Sequence, residues 1–487
     1  KTVFKGVCNH HDLGPLGAAV NDAAIRRQIR ILKDMGCNAI RTSHNMPAPE
    51  LVRACDEMGM MLMVESFDEW NKAKCANGYN LIFDEWVEKD LVNLVHHYRN
   101  NPSVVMWCVG NEVPNQWDES GCKISKFLQD ICHREDPTRP VTQGMDAPDA
   151  VVNNNMAAVM DVAGFNYRPF RYQVNYKKLP QQIILGSETA STVSSRGVYK
   201  FPVERKAMAV YEDHQSSSYD VEHCNWSNLP EDDFIQHEDL PYCIGEFVWT
   251  GFDYIGEPTP YGWPARSSYF GIVDLAGFPK DVYYLYQSEW TDKQMLHLFP
   301  HWNWTPGQEI DMWCYYNQAD EVELFVNGKS QGVKRKDLDN LHVAWRVKFE
   351  PGTVKVIARE SGKVVAEKEI CTAGKPAEIR LTPDRSILTA DGKDLCFVTV
   401  EVLDEKGNLC PDADNLVNFT VQGNGFIAGV DNGNPVSMER FKDEKRKAFY
   451  GKCLVVIQND GKPGKAKLTA TSEGLRQAVL KISAEEL

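Results

Sequence analysis

Two glutamates at the ends of predicted strands are the main chemical signal in this sequence. Glu112 ends the segment VVMWCVGNE (104–112), and Glu188 lies within IILGSETAS (183–191). Hydrolysis of a glycosidic bond near neutral pH uses one carboxyl group as an acid and a second carboxylate that meets the developing oxocarbenium ion. A single glutamate at such a position can instead cap the helix that follows the strand. Two of them together favour the catalytic interpretation, and the pair predicts a glycosidase.

The segments that must position these glutamates alternate between strand and helix character from residue 3 to about residue 290. Eight of them have strand character: 3–10, 39–45, 61–68, 104–112, 140–146, 161–167, 183–190 and 243–254. Eight strands alternating with helices over about 250 residues or more are typical of a (β/α)8 TIM barrel. No GxGxxG motif follows the first strand, which weighs against a dinucleotide-binding fold. We predict a catalytic barrel over residues 1–298.

Helical spacing disappears after about residue 300, and short strands take over. The segment VELFVNGKSQGV (322–333) is centred on Asn327-Gly328, which is typical of a two-residue hairpin turn. The segment GKPAE (374–378) has the composition of a linker. The spacing of strands and turns on either side of it predicts two immunoglobulin-like β-sandwich domains, over 299–373 and 374–487. The predicted fold class is therefore multidomain, with a TIM barrel followed by two all-β sandwiches.

Polar and aromatic side chains collect at the carboxyl ends of the predicted barrel strands, where barrel enzymes keep their active sites. The candidate substrate-binding residues are His10, Arg41, His44, Asp68, Asn111, Tyr167 and Trp249. The Asn111 amide can hold a sugar 2-hydroxyl if the chain has already turned into its loop at Glu112. Tyr167 can donate its hydroxyl group to Glu188, and Trp249 can pack its ring against the apolar face of a sugar.

Each of these residues also has an ordinary structural explanation. A histidine on a strand, such as His10, is often only a hydrogen-bonded structural residue, and Arg41 can pin an acid without touching substrate. Asp68 can merely shape its loop, Tyr167 can be an amphipathic residue at the barrel rim, and Trp249 can belong to the core. Their placement on neighbouring strand ends is what favours a sugar-binding site.

Composition argues against several classes of function. The formal charge of -15, without any Lys/Arg-rich run, argues against a nucleic-acid partner. No apolar stretch approaches the roughly 18 residues that a membrane-spanning helix requires. The 14 cysteines include no CxxC pair, which predicts buried thiols rather than disulfides or a metal site. Residues 9–12 offer metal-ligand types, but neighbours in sequence rarely share one tetrahedral site. We expect no required cofactor and leave a bound monovalent or divalent cation open.

The chain resembles glycoside hydrolase family 2, the family of β-galactosidases and β-glucuronidases. Five motifs carry the resemblance in family order: KGVCNHHD (5–12), AIRTSHNMP (39–47), GNE (110–112), GSETAS (186–191) and EFVWTGFDY (246–254). The resemblance implies that Glu112 is the acid/base, that Glu188 is the nucleophile and that Asn111 binds the sugar 2-hydroxyl. It further implies a sugar subsite lined by His10, His44, Tyr167 and Trp249.

The resemblance also bears on the substrate. Family β-glucuronidases carry an Asn-x-Lys motif near strand 8 that recognises the sugar carboxylate, and the segment FGIVDLAGFPKD (270–281) lacks it. We therefore expect a retaining, exo-acting enzyme that releases terminal β-linked galactose from oligosaccharides or polysaccharides. The alternatives are another β-glycosidase of the family, either a β-glucuronidase or a β-mannosidase, and a carbohydrate-binding fragment without turnover.

Family members place a jelly-roll domain and an immunoglobulin-like domain before the barrel. We therefore expect this chain to be part of a longer protein. A periplasmic or secreted location is favoured if a signal peptide was removed together with that preceding region. Neither the compartment nor assembly into a homo-oligomer is decided by the sequence.

Overall fold

The computed structural model describes residues 2–237 and 239–486. Two compact units divide the chain. The first comprises the described residues of Lys1–His11, Ile25–Thr192 and His223–Gly251, and the second comprises those of Asp12–Ala24, Val193–Glu222 and Phe252–Leu487. The predicted domain boundaries at 298/299 and 373/374 stay predictions.

Eight parallel strands form a closed barrel in the first unit. They are β1 (Phe4–Asn9), β2 (Ala39–Thr42), β3 (Met61–Glu65), β4 (Val104–Asn111), β5 (Val141–Met145), β6 (Ala163–Asn166), β7 (Ile184–Thr189) and β8 (Cys243–Trp249). Strands that are consecutive in the sequence pair in parallel, and β8 closes the barrel by pairing with β1. The predicted TIM barrel is therefore confirmed. The last strand ends at Trp249 and is therefore shorter than the predicted 243–254. Two residues beyond it, the Gly251 N–H still donates to the Cys8 carbonyl of β1 at 3.1 Å.

Helices occupy the connections between the strands. They are α1 (Asp22–Met35), α2 (Pro49–Met58), α3 (Phe83–Tyr98), α4 (Glu119–Glu135), α5 (Pro148–Asn153), α6 (Tyr172–Tyr176) and α7 (Pro230–His237), and α8 (Asp281–Trp290) follows in the second unit. Gly59 ends α2 in a left-handed conformation, with φ 68° and ψ 50°. Glycine adopts that conformation without the cost that a Cβ atom imposes, which is why a glycine stands there.

Continuous burial explains why the barrel strands form where they do. In β4, every residue except Val105 is buried, although the strand contains both apolar and polar side chains. Parallel strands covered on both faces produce near-continuous apolar runs rather than strict alternation. Its hydrogen-bonding side chain at the carboxyl end is that of Asn111, the last residue of the strand. The strand thus presents polar chemistry only at one end of the barrel.

Short strands build the rest of the second unit. The first group is β9 (Leu296–Phe299), β10 (Glu309–Tyr316), β11 (Glu321–Val326), β12 (Lys329–Lys334), β13 (Val343–Lys348), β14 (Thr353–Glu360) and β15 (Lys363–Cys371). It forms a three-stranded sheet in the order β9-β10-β13 and a four-stranded sheet in the order β12-β11-β14-β15. One buried cluster includes residues of both sheets, among them Met312, Leu324, Trp345 and Val356.

A second pair of sheets follows. Its strands are β16 (Glu378–Pro383), β17 (Ile387–Thr389), β18 (Leu395–Leu403), β19 (Leu416–Gly423), β20 (Phe426–Asp431), β21 (Lys445–Lys447), β22 (Lys452–Gln458), β23 (Gly464–Thr471) and β24 (Ala478–Glu485). The sheet orders are β16-β18-β22-β20 and β17-β24-β23-β19-β21. Residues from both sheets, such as Val398 and Phe419, share one core. The predicted fold class, a barrel followed by all-β sandwiches, is confirmed.

The predicted hairpin around Asn327-Gly328 is also confirmed. It connects β11 and β12, which pair antiparallel. Asn327 has φ 48° and Gly328 has φ 79°. Positive φ at both central residues is what a type I′ turn requires, and Asn-Gly is the residue pair that adopts it most readily.

The cysteines and the helices bear on two further expectations. No disulfide joins any two of the 14 cysteines, all of which lie within residues 2–237 and 239–486, and 11 of them are buried. The 11 buried thiols therefore act as small apolar side chains, as predicted, whereas Cys75 is exposed and Cys122 and Cys371 are half-buried. None of the described helices is both long enough and apolar enough to cross a membrane.

Candidate active site

The carboxyl ends of the barrel strands bring the predicted site residues to one end of the first unit. His10 directly follows β1, and Arg41 and His44 lie on and just after β2. The remaining residues are Asp68 after β3, Asn111 and Glu112 at the end of β4, Tyr167 after β6, Glu188 in β7 and Trp249 at the end of β8. The side-chain contacts described below connect all nine into one network.

Arg41 is the centre of this network. Its guanidinium is 0% exposed and donates from Nε to Glu65 Oε2 at 2.8 Å. It also donates from Nη1 to Glu188 Oε1 at 2.8 Å and from Nη2 to the Asn111 Oδ1 atom at 2.9 Å. A buried guanidinium requires this degree of pairing to offset its lost hydration. The geometry therefore matches the alternative in which Arg41 holds an acid in place, below the surface that a substrate would contact.

Glu188 is held in one orientation by two donors. Besides the bond from Arg41 to Oε1, its Oε2 atom accepts a hydrogen bond from the Tyr167 hydroxyl group at 3.0 Å. Ser191 Oγ in turn donates to the Tyr167 hydroxyl oxygen at 2.7 Å. Burial, together with the nearby Glu188 carboxylate, raises the pKa of Tyr167 well above its ordinary value. Tyr167 therefore remains a donor to Glu188, as the sequence predicted.

The backbone turns at Glu112, immediately after β4. Glu112 has φ 44°, a left-handed conformation that is uncommon for a residue with a Cβ atom. As a result, Asn111 and Glu112 reach a common partner although they are adjacent in sequence. Asn166 Nδ2 donates to Asn111 Oδ1 at 3.0 Å and to Glu112 Oε1 at 2.9 Å. As the sequence indicated, Asn111 can face a substrate only if the chain turns into its loop at Glu112, and the backbone does turn there.

Glu112 is the carboxyl group in this site that is prepared to carry a proton. Burial, followed by the charges of Glu188 and Asp146, raises the pKa of Glu112 to about 7. The Asn166 hydrogen bond and the Lys74 ammonium oppose this shift without cancelling it. A carboxyl group with a pKa near neutrality can give up a proton and take it back at physiological pH.

Three aromatic rings stand together across the strand ends. His44 stacks on Trp249 with ring centroids 5.1 Å apart, and His10 meets the edges of both rings at 5.6 and 5.3 Å. Trp249 is only 5% exposed, and His44 covers one of its faces. The structure thus places Trp249 at the predicted end of the barrel, with little of its ring open in this conformation.

The two histidines differ in electrostatic environment. Burial, together with His44, lowers the pKa of His10 to about 4. Burial also opposes protonation of His44, but the Glu65 carboxylate, 3.1 Å from His44 Nδ1, outweighs it and raises the pKa of His44. His44 Nε2 lies 3.4 Å from Asn111 Nδ2 and 3.8 Å from Glu188 Oε1. A neutral ring and a more readily charged ring therefore line the same rim.

Asp68 presents a carboxylate beside this rim. Its Oδ1 atom accepts from Lys74 Nζ at 2.7 Å and lies 3.4 Å from Asn111 Nδ2. Burial opposes ionisation of Asp68, but Lys74 outweighs it and lowers the pKa of Asp68. Lys74 Nζ also donates to the Asn111 carbonyl at 3.1 Å. An ionised carboxylate of this kind can accept hydrogen bonds from sugar hydroxyl groups.

Four residues of the network were not among the predicted site residues: Glu65, Asn166, Lys74 and Ser191. Glu65 and Asn166 are the last residues of β3 and β6, so their position at strand ends was the signal that could have identified them. Lys74 lies nine residues beyond the end of β3, and its side chain reaches back to the site through Asp68 and Asn111. Nothing in the sequence around Lys74 indicates that its side chain contacts Asp68 and Asn111.

The arrangement of possible metal ligands bears on the expected absence of a required cofactor. Across residues 2–237 and 239–486, no group of three or more His, Cys, Asp or Glu side chains is arranged to hold a metal ion. The expectation that no metal or other cofactor is required stays a prediction, and so does the open question of a bound cation.

Family models match most of the chain. The model for the TIM barrel domain of glycosyl hydrolases family 2 matches residues 1–288. The model for C-terminal domain 5 of glycoside hydrolase family 2 matches residues 379–481, and a domain of unknown function matches residues 307–366.

Individual proteins are similar over nearly the whole chain. Beta-galactosidase BoGH2A of Bacteroides ovatus is 65% identical over 100% of this chain and 62% of its own length. A beta-glucuronidase of Formosa agariphila is 26% identical over 87% of this chain and 41% of its own length. The crystal structure of a beta-glycosidase from Bacteroides vulgatus has a TM-score of 0.89 at 34% identity, covering 99% of this chain and 64% of that one. The chain therefore spans less than two thirds of the length of each of these proteins.

Proposed function

The chain belongs to glycoside hydrolase family 2, and we propose that it is the catalytic part of a retaining, exo-acting β-galactosidase. The observation that carries the proposal is the pair of glutamates in contrasting environments. Glu112 has a pKa raised to about 7, whereas Glu188 is held by hydrogen bonds from Arg41 and Tyr167. Environments that separate two carboxyl groups in this way are what a glycosidase uses to assign its acid and its nucleophile.

In the first step, a Glu188 oxygen attacks the anomeric carbon of the galactoside. The bond between that carbon and the glycosidic oxygen breaks, and the leaving oxygen takes the proton of Glu112. Arg41 and Tyr167 fix both oxygens of Glu188, so the attacking oxygen needs little reorganisation before it reacts. A galactosyl ester of Glu188 results, and Glu112 is left ionised.

In the second step, Glu112 accepts a proton from water, whose oxygen attacks the anomeric carbon. The ester bond breaks, galactose leaves with its original anomeric configuration, and Glu112 is protonated again. Asn111 binds the 2-hydroxyl group, where hydrogen bonds strengthen as the anomeric carbon gains positive charge. Its Nδ2 atom is the donor for this contact, because its Oδ1 atom already accepts from Arg41 and Asn166.

Two observations support galactose as the sugar. The relative that is 65% identical over the whole chain is named a beta-galactosidase. The segment 270–281 also lacks the Asn-x-Lys motif with which family β-glucuronidases recognise a sugar carboxylate. His10, His44 and Asp68 then form the rim that receives the sugar hydroxyl groups. Trp249, beside them, offers the apolar face of the sugar the small part of its ring that His44 leaves open.

The experiment that tests the mechanism is trapping of the covalent intermediate with a 2-fluoro-galactoside, followed by mass spectrometry of the digested protein. The label is expected on the peptide that contains Glu188. Glu188→Gln should show neither the label nor turnover, whereas Glu119→Gln, on the exposed surface of α4, should behave like the wild type. A label on another residue, or turnover retained by Glu188→Gln, would contradict the assignment.

The second candidate is a β-glucuronidase. The Formosa agariphila relative named a beta-glucuronidase is 26% identical over 87% of this chain, so the barrel itself is compatible with either sugar. A set of aryl β-glycosides that differ only in the sugar separates the two proposals. Preference for the glucuronide over the galactoside would replace galactose while leaving the roles of the two glutamates unchanged.

A further inference from the structure

Trp117 exposes a large aromatic ring on the loop that carries the acid/base. It is the last residue of a 3-10 turn, Pro114–Trp117, which begins two residues after Glu112. Its side chain is 70% exposed, whereas Trp70 and Trp107 in the same barrel are buried. An exposed indole ring offers a large apolar face on which a ligand can pack.

The loop holds this ring in place through its neighbours. Asn115 is buried and donates to Asn71 Oδ1 at 2.9 Å and to Ser120 Oγ at 2.8 Å. Gln116 is buried as well and donates to Asp146 Oδ1 at 2.5 Å, and its carbonyl accepts from Asn154 at 2.9 Å. Because the two residues before Trp117 are hydrogen-bonded to four residues outside the turn, the ring is presented by a fixed backbone.

Asp118, the residue after Trp117, is also held in place. Its carboxylate accepts the Ser120 N–H at 2.8 Å and so caps the first turn of α4. It also forms an ion pair with Lys72 on the surface. Trp117 is therefore flanked by polar groups that can bind hydroxyl groups, an arrangement in which a sugar can use both its apolar face and its polar edge.

The position of Trp117 in the chain places it near the Glu112 carboxyl group, where the leaving group of the substrate binds. In the mechanism above, Glu112 protonates the glycosidic oxygen, so the aglycone must lie beside the Glu112 carboxyl group. Only five positions separate Glu112 from Trp117, and a 3-10 turn rises about 2 Å per residue, which keeps the ring within the reach of an oligosaccharide. A second exposed aromatic ring, Phe170 at 63%, lies on the loop after β6, the strand whose Asn166 holds Glu112.

We infer that Trp117 is a stacking platform for a sugar unit of the aglycone, and that it makes the enzyme prefer galactose linked to further sugars. This inference rests on the proposed function, because it uses Glu112 as the acid. The ligand class is a neutral oligosaccharide that ends in β-linked galactose. The aglycone sugar packs the C–H face of its ring on the Trp117 indole, and the hydroxyl groups of that sugar face Asp118 and Lys72.

The test compares two substrates in the intact protein. β-Galactosyl fluoride has no sugar aglycone, whereas a trisaccharide with terminal β-linked galactose has two further sugar units. Trp117→Ala should lower kcat/KM for the trisaccharide about 10-fold, since the variant loses one aromatic stacking contact with the aglycone. For the fluoride, kcat/KM should stay within about twofold of the wild type. Trp117→Phe keeps an aromatic face and should restore most of the trisaccharide activity.

Trp86→Ala is the matched control. Trp86 is 41% exposed on α3, the helix that connects β3 to β4, and it should affect neither substrate. An equal loss on both substrates in Trp117→Ala would overturn the inference in favour of a structural role for the loop, and no loss on the trisaccharide would overturn it outright. Turnover of the fluoride by the wild type tests the proposed function separately, because that substrate offers Trp117 nothing to hold.

Discussion

Removal of the Asn166 amide should move the alkaline limb of the pH profile. Asn166 Nδ2 donates to Glu112 Oε1 at 2.9 Å, and this bond holds the pKa of Glu112 lower than burial and the Glu188 charge alone would set it. Asn166→Ala removes a donor that stabilises the ionised carboxylate. The protonated form is then favoured, so the pKa of Glu112 should rise from its value of about 7.

The size of the shift follows from the geometry. A hydrogen bond to a charged group contributes about 1.5–3 kcal/mol. Asn166 Nδ2 divides its donation between Glu112 and Asn111, and water can replace part of it at the mouth of the site. About half of the upper value remains, roughly 1.4 kcal/mol, which corresponds to about one pKa unit.

The assay is the pH dependence of kcat/KM for an aryl β-galactoside, whose alkaline limb reports loss of the proton from the free-enzyme acid. In Asn166→Ala this limb should move to higher pH by about one unit, and the maximum should fall because Asn111 also loses a partner. Asn101→Ala is the control. Asn101 precedes the amino end of β4 and donates to Asp56, so it lies at the opposite end of the strand from the candidate site. If the alkaline limb stays in place or moves to lower pH, then either Glu112 is not the catalytic acid or the Asn166 hydrogen bond does not lower the pKa of Glu112, and this prediction is wrong.

Further predictions concern Glu188, the proposed nucleophile, and the residues that hold it. Tyr167→Phe removes the donor to Glu188 Oε2 and should lower kcat/KM about 10- to 100-fold with little change in the urea midpoint, and a loss below threefold would contradict its positioning role. Arg41→Met leaves two buried carboxylates, Glu65 and Glu188, without their cation and should destabilise the barrel by about 3–5 kcal/mol in urea unfolding. Unchanged stability of that variant would show that these carboxylates find other partners.

Much of the barrel could be predicted because its signals are local. Strand length, helical spacing and the Gly59 helix end depend on residues that are close in sequence, so they can be recognised without the tertiary fold. The same holds for the Asn327-Gly328 hairpin, whose backbone conformation depends on two adjacent residues. The placement of Glu112 and Glu188 at one end of the barrel then follows from the rule that parallel strands gather their carboxyl ends.

The sequence by itself determined the fold class and the placement of Glu112 and Glu188 at strand ends, because each depends on short-range pattern or on matching motifs. Only the tertiary structure decided which partners the other candidate site residues contact. Arg41 meets Glu188 across 147 positions of sequence, and Asn166 meets Glu112 across 54, so neither pairing leaves a local trace. The burial that raises the pKa of Glu112, and the stacking of His44 over Trp249, likewise arise only when separate strands close into a barrel.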